Sequence, residues 1–144
     1  MKSAMQVLRA KKSNSIIAIS PDATVYEAIE LMCDKNVGAL LVLDGDRLIG
    51  VISERDYARK IILAGRASRE TLVRDVMTKE LVVVHPETSV EECMAIMTEK
   101  FLRHLPVMED GKVVGLVSIG DAVKTIISEQ NFVITNLQQY IMQG

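Results

Sequence analysis

Two short runs in this 144-residue chain combine a hydroxyl, a carboxylate and the start of a helix: Ser53-Glu-Arg-Asp56 and Ser118-Ile-Gly-Asp121. An ionised carboxylate can accept hydrogen bonds from two neighbouring hydroxyls. Free backbone N–H groups and the helix dipole at a strand-to-helix junction favour an anion. The same residues also have an ordinary explanation. Serine is a preferred N-cap, and an acidic residue three positions on completes a capping arrangement. Both runs keep Ser and Asp while exchanging Glu54-Arg55 for Ile119-Gly120, which a pure cap does not require. A capping serine and an anion-binding serine can be one residue. Basic side chains lie in Arg55 and in the pair Arg103-His104; arginine presents a fork of donors suited to phosphate oxygens.

The elements that must position these groups occur twice. Displacing the sequence by 65 residues lays Pro21–Lys60 on Pro86–Thr125 without a gap, with ten identities that include Ser53/Ser118 and Asp56/Asp121. Ordinary composition gives about two or three such matches, so the chain is a tandem duplication. In each copy a β-rich run (Ile16–Ile19; Leu81–Val84) meets a proline. Thr24-Val-Tyr-Glu27 and Ser89-Val-Glu-Glu92 then have the spacing that starts a helix, followed by apolar residues at helical intervals. A strand (Ala39–Leu43; Leu105–Met108), a turn rich in Asp and Gly, and a second strand (Leu48–Ser53; Val113–Ser118) predict a hairpin. A second helix starts at Ser53 or Ser118. The fold class is therefore α+β, a βαββα unit repeated twice. Neither unit is large enough to bury both faces alone, so the copies are expected to pack about a pseudo-twofold. The expected organisation is an N-terminal segment (1–13), a first repeat (14–65), a connector (66–77), a second repeat (78–130) and a C-terminal helix (131–144). A short helix is expected over Arg69–Met77 and an extended one over Ile119–Met142.

Gly50-Val-Ile-Ser-Glu-Arg-Asp56 and Gly115-Leu-Val-Ser-Ile-Gly-Asp121, each closing a βαββα repeat, resemble the signature of the CBS domain, named after cystathionine β-synthase. Phe101-Leu-Arg-His-Leu-Pro-Val107 is similar to the second copy in small stand-alone bacterial CBS pairs. The resemblance covers about residues 14–130 and implies a regulatory pair, or Bateman module. Such pairs bind AMP, ADP, ATP, NAD(H) or S-adenosyl compounds in clefts between the repeats. By motif position it implies ribose contacts for Asp56 and Asp121, hydroxyl contacts to ribose or phosphate for Ser53 and Ser118, and phosphate contacts for Arg103 and His104. The first copy has Gly38-Ala39 where the second has Arg103-His104, and Arg55 could reach across the pseudo-twofold. The Asp121 cleft is therefore expected to be the tighter phosphate site. Adenine would enter an apolar slot, its edge read by backbone around Ile17–Ser20, including Ile19, or Val82–Val84; plain core packing explains those residues equally well.

The totals bound the alternatives. Charged residues at 25% and hydrophobic residues at 49% describe a globular chain rather than a disordered one. A net charge of −2 argues against a general nucleic-acid binder. The N-terminus lacks the apolar run of a secretory signal, and no stretch reaches the length of a membrane span, so a cytoplasmic setting is expected. Cys33 and Cys93 read as small buried hydrophobes, and with His85 and His104 they offer no metal-ligand spacing. No nucleophile–base pair is visible and nothing outside the repeats is large enough for a catalytic domain, so no enzymatic activity and no catalytic cofactor are expected. The leading reading is a non-catalytic adenine-nucleotide sensor acting on an unidentified regulated protein. The rival is a purely structural dimerisation module without a physiological ligand. Both include a homodimer, because the helix faces and the tail (Phe132, Leu137, Ile141) are apolar.

Overall fold

The computed structural model describes residues 2–11 and 16–143. The chain opens with α1 (Ala4–Ala10), followed by the first repeat: β1 (Ala18–Ile19), α2 (Val25–Lys35), β2 (Ala39–Asp44), β3 (Arg47–Ser53) and α3 (Glu54–Tyr57). A π-helical turn, Ala58–Ile62, extends α3, and a short helix α4 (Val73–Val76) lies in the connector. The second repeat comprises α5 (Val90–Lys100), β4 (His104–Glu109), β5 (Lys112–Ser118) and α6 (Ile119–Gln143). The molecule is thus a mixed α+β protein built from two equivalent repeats and a C-terminal helix. Two compact units result: Ser15–Val82 with Glu109–Gly115, and Met1–Asn14 with Val83–Met108 and Leu116–Gly144.

Local chemistry explains the helix boundaries. Thr24 Oγ1 and Ser89 Oγ accept from the backbone N–H of Glu27 and Glu92, each at 3.1 Å, and so cap α2 and α5. Both helices end on an equivalent left-handed residue, Asn36 (φ 54°) and Phe101 (φ 56°). Buried positions repeat as well: Val25, Ala28, Met32, Leu40, Val42 and Ile52 in the first copy, Val90, Cys93, Met97, Leu105, Val107 and Val117 in the second. Cys93 occupies the place of Ala28 and is buried as expected. Cys33 is exposed, contrary to expectation. It follows Met32 around the helix and falls off the buried stripe, a rotation of about 100° per residue.

In the first unit β1 pairs parallel to β2, which pairs antiparallel to β3. The entry strand is shorter than the sequence implied, spanning Ala18–Ile19 rather than Ile16–Ile19. Its counterpart over Leu81–Val84 is reduced to a single parallel bridge, Val84 to Val107. Proline accounts for this. In the first repeat the Leu41 N–H donates to Ile17 O at 3.2 Å; the equivalent residue is Pro106, which has no N–H to give. The β4–β5 turn carries Asp110 (φ 51°) and Gly111 (φ 78°), two successive left-handed residues as a two-residue hairpin requires.

Each repeat is completed by a strap from outside its βαββα run. In the first unit the connector supplies it. Val73 N–H donates to Ala23 O (2.8 Å), Arg74 N–H to Pro21 O (3.0 Å), and Thr71 O accepts from Val25 N–H (2.9 Å). In the second unit α1 makes the same bonds: Ala4 to Thr88 O (2.7 Å), Met5 to Pro86 O (3.0 Å), and Lys2 O from Val90 (2.9 Å). The N-terminal helix α1 therefore packs on the second repeat, although it precedes the first in the chain. Ala4 and Val7 are buried there, as Val73 and Val76 are in the first unit. The connector helix is confined to Val73–Val76, shorter than the expected Arg69–Met77.

Candidate functional site

The two Ser-x-x-Asp runs sit where a strand hands over to a helix, and both form reciprocal capping boxes. Ser53 Oγ accepts from the Asp56 N–H at 3.2 Å, and Asp56 Oδ2 accepts from the Ser53 N–H at 3.0 Å. Ser118 Oγ accepts from the Asp121 N–H at 3.1 Å, and Asp121 Oδ2 from the Ser118 N–H at 3.0 Å. The cap is real in both copies, so the serine orients the carboxylate in each.

Beyond the cap the two carboxylates differ. Asp56 is buried and satisfied on both oxygens. Its Oδ2 also accepts from Ser53 Oγ at 3.1 Å, while Oδ1 accepts from Thr78 Oγ1 at 3.1 Å and lies 3.2 Å from Lys60 Nζ. Lys60 donates at the same time to Val76 O at 2.8 Å, which ties the carboxylate to its strap. Asp121 is only partly buried. Its second donor is Lys11, whose Nζ lies 2.9 Å from the same Oδ2 and donates to Leu116 O at 3.0 Å. Among the described residues no hydrogen-bond partner stands against Asp121 Oδ1. Burial pushes the Asp121 carboxyl up, but the Lys11 ammonium and the Ser118 N–H outweigh it and hold the group below the usual range.

The motif glycine of the first repeat also has a structural reason. A Cβ on Gly50 would come within 2.6 Å of Met77 Sδ and 3.1 Å of Thr78 O. Only a bare backbone lets the strap cross β3, where Thr78 and Val51 exchange N–H···O bonds at 2.9 and 3.1 Å. Leu116, whose carbonyl Lys11 holds, is the equivalent of Val51.

Of the residues singled out from sequence, Ser118, Asp121, Arg103 and His104 lie in the second unit, and Ser53, Asp56, Arg55 and Ile19 in the first. Arg103 is drawn to the second motif through its backbone, since its carbonyl accepts from the Ile119 N–H at 2.8 Å; its side chain is exposed. Gly38 O does the same for Glu54 N–H at 3.0 Å in the first copy. His104 is the first residue of β4 and partly buried. Arg55 is exposed in the first turn of α3, and Ile19 is half-buried in β1 opposite Val42. Sequence reasoning missed Lys11, Lys60 and Thr78. Lys60 could have been found, being four residues after Asp56 on one helix face. Lys11 and Thr78 lie outside the gap-free register and reach the carboxylates only through the straps. Among the described residues no group of three or more His, Cys, Asp or Glu side chains could hold a metal ion. No helix in those residues is long and apolar enough to cross a membrane.

Comparison with known proteins agrees with this architecture. The family model for the CBS domain matches residues 12–63 and again 73–128. The solved structure of a protein with CBS domains from Burkholderia ambifaria is similar over 90% of this chain and 96% of that one, with 47% sequence identity and a TM-score of 0.86. The mitochondrial CBS domain-containing protein CBSX3 of Arabidopsis thaliana is 45% identical over 128 residues, 85% of this chain but 62% of the relative's length. YhcV of Bacillus subtilis, also a CBS domain-containing protein, is 32% identical over 127 residues, 88% of this chain and 90% of the relative. With two signature junctions, two family matches and the same duplicated architecture, the chain belongs to the CBS domain family and carries a tandem pair of the domains.

Proposed function

We propose that this CBS pair is a non-catalytic regulatory module that binds an adenine nucleotide at the Asp121 motif. The observation that carries the reading is the contrast between the two carboxylates. Asp56 is closed by four donor groups within its own unit, whereas Asp121 keeps one oxygen without a partner among the described residues. A carboxylate held ionised and oriented, with an open acceptor, suits the hydroxyl pair of a ribose. The nearby helix start and the exposed Arg103 suit a phosphate. AMP, ADP, ATP and NAD(H) share these features, and an S-adenosyl compound shares the ribose alone. His104, Ser118 and Arg55 are assigned to the same ligand, and the Ile19 backbone to the adenine edge. A cytoplasmic setting and a homodimer acting on a separate regulated protein complete the proposal.

A purely structural dimerisation module is the second reading, and the exposed apolar face of α6 favours it: Ile127, Ile134, Leu137 and Ile141 are each at least half exposed. A thermal-shift panel of AMP, ADP, ATP, NAD, NADH and S-adenosylmethionine separates the two. A ligand that binds only the folded state adds about 2.7 kcal/mol at a hundred times its dissociation constant. At least one adenosine phosphate or adenine dinucleotide is expected to raise the melting temperature. No shift with any of the six at millimolar concentration leaves the structural reading standing.

A further inference from the structure

We infer that Lys11, carried on the N-terminal strap, is a specificity-determining residue of the Asp121 site that supplies the positive charge an anionic ligand needs beside that carboxylate. The inference deepens the adenine-nucleotide reading and rests on it.

The strap is built to deliver this residue. Ser3 caps α1 with a reciprocal box to Gln6, and the first turn is fixed to the start of α5 by three backbone bonds. Buried Ala4 and Val7 seat the helix. The Lys2 N–H reaches Glu129 Oε1 on α6 at 2.8 Å. The chain then leaves the helix at Lys11, whose own N–H closes the last turn on Leu8 O at 3.2 Å. Its side chain crosses to Leu116 O and Asp121 Oδ2.

An ammonium has three protons to donate, and these two contacts use two of them. Among the described residues the third has no acceptor, and we assign it to a ligand oxygen. Both Lys11 and the Ser118 N–H converge on Oδ2, so a hydroxyl can reach Oδ1 without displacing either. The electrostatic consequence follows directly. A phosphate brought near an uncompensated carboxylate is repelled, and the repulsion grows as the site loses water. Lys11 cancels that charge locally. In the first copy the strap offers a neutral hydroxyl, Thr78 Oγ1, and the cation Lys60 comes from the motif's own helix. The duplication has therefore diverged at the strap. One carboxylate is sealed into its unit, and the other is charge-balanced yet keeps an oxygen open among the described residues.

The experiment titrates the wild-type protein, Lys11→Met and Lys11→Arg with AMP and with adenosine by calorimetry. Lys11→Met is expected to weaken AMP about tenfold or more, the loss of one charge-assisted contact, and adenosine by less than about threefold. Lys11→Arg restores most of the AMP affinity, since it keeps the charge. Equal losses for AMP and adenosine would make Lys11 a structural tie and overturn the inference. Unchanged or tighter AMP binding by Lys11→Met would overturn it too, while leaving the adenine-nucleotide reading intact. If the wild-type protein binds neither compound nor any other adenine ligand, both fall together. Thermal unfolding checks each variant; should Lys11→Met not fold, Lys11→Gln, uncharged but still able to donate to Leu116 O, carries the same comparison.

Discussion

Asp56 and Asp121 occupy the same motif position and accept the same serine N–H, yet their surroundings assign them different work. Substituting Asp56 takes a buried carboxylate away from Thr78 Oγ1, Lys60 Nζ and the Ser53 N–H, and so removes the carboxylate half of the capping box of α3. Leaving such partly buried donors without their acceptor costs about 1–3 kcal/mol, and the exposed Lys60 adds little to it. Asp121→Ala removes only the carboxylate half of a capping box, worth less than about 1 kcal/mol, and one partly exposed ion pair worth no more than that. Asp56→Ala is therefore expected to be the more destabilising substitution. Asp121→Ala is expected to be the more damaging to binding, by about ten- to a hundredfold in affinity for AMP. Denaturant unfolding and calorimetry on the two variants check the crossed pattern. A larger binding loss for Asp56→Ala would move the site to the first motif.

At the scale of elements, the straps explain why short helices recur outside the βαββα runs. A four-residue helix such as α4 has no stability of its own. It persists because Val73 and Val76 are buried and its backbone is bonded to Pro21 and Ala23. Side chains add to this at the first unit's surface, where Arg74 pairs with Asp22 and Arg69 lies over the Tyr26 ring at 4.1 Å. The crossing of the strap over β3 depends on Gly50. Gly50→Ala forces Met77 and the Thr78 carbonyl to move, and overpacking of this kind costs about 1–3 kcal/mol. Loss of that amount in denaturant unfolding is expected, with nucleotide affinity at the second motif little changed. A neutral effect on stability would mean that the strap yields without cost.

For the whole molecule, the feature that asks for a partner is α6. It runs unbroken for 25 residues, and every described residue from Gln130 to Met142 is exposed. Ile127, Ile134 and Ile141 recur every seven residues, with Val123 and Leu137 at the intervening apolar positions and Gln130 as the polar exception. Isoleucine and leucine alternating in this way favour a two-stranded pairing of helices, and the segment after Glu129 carries no charge to oppose it. A homodimer through α6 is the expected state. Sedimentation at tens of micromolar should show it, and Ile134→Asp with Leu137→Asp should convert it to a monomer of unchanged helical content. A monomeric wild-type protein at that concentration would count against the pairing.

What the sequence alone determined follows from periodicity and local bonding. The duplication, the α+β repeat, the helix starts at Thr24 and Ser89, the hairpins and the two Ser-x-x-Asp caps are all decided within a few residues of one another. Capping and alternation act over that range, so composition and spacing suffice to read them. The shortened entry strand was legible too, since Pro106 can be read off the chain and lacks a donor, but its consequence emerges only once Leu41 and Pro106 are known to be equivalent. Tertiary structure decided the rest. The N-terminal helix closes the second repeat, Cys33 faces out, and Lys11 and Thr78 meet their carboxylates 110 and 22 residues away in the chain. No local rule couples residues at such separations. Their meeting depends on burial of Ala4, Val7, Val73 and Val76, which only the folded repeats can provide.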